Sequence, residues 1–209
     1  MFSIQWLFAE GDSFQELLEA AAREAHETVL LAVALIKSPQ NTQNHDDLIL
    51  ARQKEKCTSR KIGEELVEAF STGLEREDIE ALNRALFRIP KAAEKLANYM
   101  LIVRPQLRGP AVPRYADTMS QASGAVVDLI CQLRDIRNVT RVAVLCQLLE
   151  AVENEAERHM REIRGDLYTR GHEAIRAMAI RDVCELMEKV VERCQLAGSL
   201  AMKIVLKNS

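Results

Sequence analysis

Chain breakers are scarce in this sequence, and they are placed for long helices rather than for sheets. Only 8 Gly and 5 Pro occur in 209 residues. Three of the prolines, Pro105, Pro110 and Pro113, stand together with Gly109 in one short stretch. A chain of short strands needs turn residues at every corner. Here long segments run without them, which points to an all-α fold.

The apolar spacing agrees. Phe14, Leu17, Leu18, Ala21, Ala25 and Val29 follow the three-and-four pattern of one helix face. Asp12 or Ser13 stands where an N-cap belongs, and Ser13 with Glu16 has the spacing of a capping box. This helix should stop before Pro39, with a polar loop over 38–44. A second helix is expected from about Asp46 to Phe70, ending at Ser71, Thr72 and Gly73. A third starts near Arg76 and turns Ile79, Leu82, Leu86, Ile89, Ala93, Leu96 and Met100 inward, with a kink at Pro90. The stretch from Val103 to Arg114 reads as a linker. Three further helices follow, over about 115–135, 140–168 and 172–206. Val144, Leu148, Val152, Ala156 and Ile163 are expected inward on the fifth. Val183, Leu186, Met187, Val190, Cys194 and Ala197 are expected inward on the sixth, and Gly171 marks the break between these two. The chain thus reads as two three-helix units, 1–105 and 106–209, with the look of an internal repeat.

Bulk properties exclude several classes. Hydrophobic residues at 48% and charged residues at 28% describe a globular chain. A net charge of −3 gives no field for nucleic acid. The longest apolar run, Val29 to Ile36, is too short for a bilayer span, which needs roughly 20 residues. No basic lead precedes the N-terminal apolar stretch, so no secretory signal is expected. Cys57, Cys131, Cys146, Cys184 and Cys194 form no CxxC pair and read as small hydrophobes in a reducing cytoplasm. Phe2, Trp6 and Phe8 form an aromatic segment expected to pack on the bundle.

Two segments carry a family resemblance. FAEGDSFQELLEAAAREA, Phe8 to Ala25, is similar to the opening of PhoU-like phosphate-transport regulators of the branch encoded beside low-affinity inorganic phosphate transporters. LVEAFSTGLEREDIEAL, Leu66 to Leu82, resembles that branch's turn into the third helix. The resemblance extends over essentially the whole chain. It implies a PhoU-like fold, two three-helix units forming an elongated six-helix bundle. It also implies acidic clusters on the second and third helices of each repeat, where such proteins hold metal ions.

In the second repeat the fifth helix carries Glu150, Glu153 and Glu157, and the sixth carries Glu185, Glu188 and Glu192, then Gln195. Each triplet has the spacing i, i+3, i+7 and lies along one face. Glu153 with Glu157, and Glu188 with Glu192, match the family's Glu-x-x-x-Asp positions, with both aspartates now glutamate. Two facing helices could then offer four hard carboxylates to a divalent or transition metal ion. The alternative is a solvated acidic face balanced by Arg158, Arg161 and Arg193. In the first repeat the family's acidic positions fall at or near Arg52, Lys56, Phe87, Arg88 and Lys91, with Pro90 interrupting the motif. The four cations among them read as an anion or partner contact, or as a basic surface paired with Glu55, Glu94 and solvent.

Catalytic signatures are missing. A ferritin-like centre needs Glu three residues before His, but Arg23, Thr42, Ala156 and Thr169 precede His26, His45, His159 and His172. No GxGxxG, P-loop, HExxH or Gly-x-Ser-x-Gly occurs. His159 with Glu155 reads as a helix-surface pair. The expectation is a cytoplasmic, non-catalytic accessory or regulator of inorganic phosphate transport. Its expected partners are further copies of itself, as a dimer or larger, and a phosphate permease. The alternative is a helical scaffold or adaptor no longer tied to phosphate.

Overall fold

A computed structural model describes residues 4–38, 43–69, 72–107, 111–135, 138–169 and 173–208, with only the backbone described for 4–12 and 111–114. The fold is all-α. Six helices follow in order: α1 (Ile4–Lys37), α2 (Gln43–Glu68), α3 (Arg76–Val103), α4 (Ala111–Gln132), α5 (Val139–Thr169) and α6 (Ala174–Asn208). Short 3₁₀ turns follow α3 and α4, at Arg104–Gln106 and Leu133–Asp135. No strand occurs among the described residues.

The packing pairs the two halves helix for helix. α1 lies against α4, and α3 lies against α6. α2 packs on α1 and α3, while α5 packs on α4 and α6. Four helices therefore form the centre, and the second helix of each half flanks it. One contiguous apolar cluster runs through all six helices, from Phe14 and Leu18 to Ile204 and Val205. The α3 face is buried as its spacing predicts, at Ile79, Leu82, Leu86, Ile89, Ala93, Leu96 and Met100. α3 continues through Pro90, and Glu77 and Asp78 in its first turn favour the positive end of the helix dipole.

Several expectations need correction. α1 begins at Ile4, so Ser13 is no N-cap; its hydroxyl donates instead to Glu65 on α2 at 3.2 Å. The linker is shorter than expected, because α4 already starts at Ala111. Pro113 falls in its first turn, where the missing N–H has no helical acceptor to lose. On α5, Val144 and Leu148 are 58% and 50% exposed, while Val142 and Leu149 are buried. Steps of four residues drift by about 40° around a helix, so a face traced from Val152 back through Leu148 to Val144 leaves the core. Cys184 and Cys194 are buried, Cys131 and Cys146 half-buried, and Cys57 exposed. The side chains of Phe2, Trp6 and Phe8, the loop at 39–42, and Ser71, Gly109, Pro110 and Gly171 lie outside the described residues.

α6 comes close to its neighbours at Gly198. A Cβ there would stand 2.5 Å from Leu149 Cδ2 and 3.3 Å from Leu129 Cδ1. Glycine thus lets α6 approach both α5 and α4 at that level.

Candidate functional site

The four glutamates expected to bind metal line one cavity between α5 and α6. Its volume is about 180 Å³, and its remaining walls are Ala156 and Val191. The placement follows from helix geometry. Val152, Ala156 and Met160 anchor α5 in the core, while Met187, Val190 and Val191 anchor α6. Glu153 and Glu157 then sit on the flank of α5 that turns toward α6, opposite Glu188 and Glu192. Glu150 and Glu185, the outer members of the two triplets, do not line the cavity.

Charge in this cavity is unevenly compensated. Glu188 has Arg164 at 3.7 Å. Glu192 is held by Lys189 at 2.6 Å and has Arg193 at 3.9 Å. Glu153 and Glu157 have no ion-pair partner among the described residues. Burial, with Glu157, Glu150 and Glu192 close by, pushes the Glu153 carboxyl above the usual carboxylate range. The donors suit a hard cation: carboxylate oxygens from two helices, on arms long enough to reorient. As the side chains stand, no three His, Cys, Asp or Glu among the described residues converge closely enough to hold one ion. A cation would have to draw the carboxylates inward.

The equivalent region of the first half already contains a cation. Arg52 is 2% exposed. Its Nε donates to Glu94 on α3 at 3.1 Å, and its guanidinium also donates to the buried Glu55. Phe87 lies beneath it, 4.9 Å from ring centre to guanidinium carbon. One guanidinium therefore ties α2 to α3 from within. The expectation that Arg52 offers its fork to an anion or partner is corrected on this geometry, since the side chain is buried and donates inside the bundle through Nε and Nη1; the alternative, pairing with Glu55 and Glu94, is the one seen. Burial pushes the Glu55 carboxyl up to about 7, with Arg52 pulling the other way and Glu24 adding to the rise. Lys56 is exposed, one turn along α2 from Arg52. Arg88 and Lys91 do converge, in a second cavity joined by Lys95 of α3 and by Lys189 and Arg193 of α6.

Sequence reasoning did not bring those last three to this cavity, and it read Arg193 only as a balance to the acidic face. Their signal is spacing: Lys91 and Lys95 repeat at four residues, and Lys189 and Arg193 repeat at four directly behind Glu188 and Glu192. The expected pair of His159 with Glu155 is present, but the imidazole is only 12% exposed rather than at the surface. The imidazole meets the ring of the buried Tyr115 edge-on, with centroids 6.1 Å apart, and keeps Glu155 at 3.8 Å. Burial, with Glu188 nearby, holds the Tyr115 phenol far above its ordinary range.

Two solved structures are similar over nearly the whole fold. One is a PhoU-like protein from Shewanella oneidensis MR-1, with a TM-score of 0.85 and 16% identity, covering 93% of this chain and 99% of that one. Another is a PhoU-like phosphate regulatory protein from the same organism, with a TM-score of 0.84 and 17% identity, again covering 93% and 99%. The chain therefore has the PhoU-like helical fold, as its sequence leads one to expect. No protein-family model matches the sequence, and no curated protein matches it.

Proposed function

We propose that this protein is a non-catalytic regulator or accessory of inorganic phosphate transport that acts by binding. The observation that carries this reading is the acidic cavity between α5 and α6. It stands in a fold shared with a protein described as a phosphate regulator. In this reading Glu153, Glu157, Glu188 and Glu192 hold a divalent or transition metal ion, whose charge neutralises the carboxylates and ties α5 to α6. The working form is a cytoplasmic homodimer or larger assembly, and its protein partner is a phosphate permease. No described helix is long and apolar enough to cross a membrane, so contact with a permease would be made from outside the bilayer. The cavity walls offer carboxylates, Ala156 and Val191, a set suited to holding an ion.

The test is physiological. Deleting the gene from its host should change the rate of phosphate uptake, and the wild-type gene should restore it. A Glu153→Gln/Glu188→Gln variant that accumulates normally should restore it poorly. Uptake indifferent to both deletion and complementation would favour a scaffold unconnected with phosphate. Turnover of a phosphoester by the pure protein, lost in the same variant, would overturn the non-catalytic reading.

A further inference from the structure

The seam between the two halves contains a basic cavity that the metal reading does not use. It lies between α3 and α6 and has a volume of about 220 Å³. Arg88, Lys91 and Lys95 approach it from α3, and Lys189 and Arg193 approach it from α6. On α3 the spacing is i, i+3, i+7, so the three cations share one face. None of those three has an ion-pair partner among the described residues. The carboxylate nearest the α6 cations is that of Glu192, which meets Lys189 and Arg193 from the acidic side. Five cations around one concavity repel one another, and the attraction of a multiply charged anion to each of them would offset that repulsion.

We propose that this cavity binds a phosphoryl polyanion, of the kind presented by a short condensed inorganic phosphate. Three features favour phosphoryl groups over a general acidic surface. The charges surround a concavity instead of lying along an open face. Arg88 supplies a planar fork that matches two phosphoryl oxygens, with the lysines as point charges around it. The floor is apolar, at Ala92 and Leu186, so the anion is held by the cationic rim alone. That lining has no aromatic side chain, so it offers no stacking platform for a nucleobase. The ligand would bridge α3 of the first half and α6 of the second. The choice of ligand class rests on the phosphate reading above, but the geometry of the site does not.

Calorimetric titration of the full chain at constant ionic strength tests it, using phosphate, pyrophosphate, tripolyphosphate, ATP and sulfate. Saturable binding should strengthen from phosphate to tripolyphosphate, with sulfate no better than phosphate. ATP should bind no tighter than tripolyphosphate. Arg88→Ala/Lys91→Ala should weaken tripolyphosphate binding at least tenfold, while Lys56→Ala, outside the cavity, should leave it unchanged. The double variant changes two exposed positions, so retained circular dichroism and an unaltered melting curve establish that it folds. The proposal is overturned if no phosphate binds saturably, or if the double variant binds as well as wild type. It is equally overturned if ATP binds tenfold tighter than tripolyphosphate, or if a glutamate-rich peptide of equal charge binds as tightly. Failure here with a normal effect on phosphate uptake removes the cavity assignment alone. Polyanion binding without any uptake effect removes the transport reading and leaves the cavity.

Discussion

Arg52 shows how much a single residue can decide in this fold. It is a buried cation whose partners lie on two helices, Glu55 on α2 and Glu94 on α3. Removing one partner of a buried pair costs about 3–5 kcal/mol, because the other charge is left uncompensated. Arg52→Ala should therefore cost about that much in urea denaturation at pH 8, whereas Lys56→Ala should stay within about 0.5 kcal/mol. The loss should shrink at pH 5, where Glu55 can take a proton and no bare charge remains. Glu55 also makes a pH prediction in the wild type. Its folded carboxyl keeps a proton up to about 7, but its ordinary value is 4.5. Between those values the folded chain binds more protons than the unfolded chain, so this group's contribution falls as pH rises through the window and is level above it. Glu55→Gln should flatten that part of the stability curve; an unchanged slope would contradict the assignment. The sequence shows a cation at position 52 but not its burial, which depends on Glu94 and Phe87 reaching it across a helix pair.

At the scale of elements, the legible parts were those whose signal is local. α3 has a dense apolar face with one consistent drift, and its buried residues follow from spacing alone. α5 carries apolar residues on two sides, and only contact with α4 and α6 decides which side is core. The start of α1 was misplaced because Ser13 and Glu16 fit a cap, although the helix runs through them. At Gly198 α6 approaches α5 and α4 too closely for a side chain. Gly198→Val should overpack that contact and cost about 1–3 kcal/mol, read as a lower denaturation midpoint with an unchanged slope. α6 also links the two cavities, because Lys189 and Arg193 face the basic one while meeting Glu192 of the acidic one. Drawing Glu192 toward a metal would release Lys189 to an anion. Manganese should therefore tighten tripolyphosphate binding, and by linkage tripolyphosphate should tighten manganese binding by the same factor. Lys189→Gln should weaken the coupling, leaving only the longer contact of Arg193 with Glu192 to carry it; equal affinities with and without metal would contradict it.

At the scale of the molecule, the two halves share one core but have opposite answers to the same electrostatic problem. α2 and α3 are joined internally by a guanidinium. α5 and α6 face one another with four carboxylates, of which Glu153 and Glu157 have no cationic partner among the described residues. The second arrangement is the one that calls for an external cation. The four glutamates were legible because helical spacing and the family resemblance place them together. The basic cavity was legible only in part, since its members come from helices far apart in sequence and meet only when α3 packs on α6. Opposite charges on one surface also favour self-association, and light scattering at high micromolar concentration should report a dimer or larger. The most direct test of the account is calorimetric titration of manganese into the metal-stripped wild type and into Glu153→Gln/Glu188→Gln. The account predicts saturable binding to the wild type, weakened at least tenfold in the variant while its fold is retained. No manganese, iron or zinc binding to the wild type, or equal binding to both proteins, would contradict it.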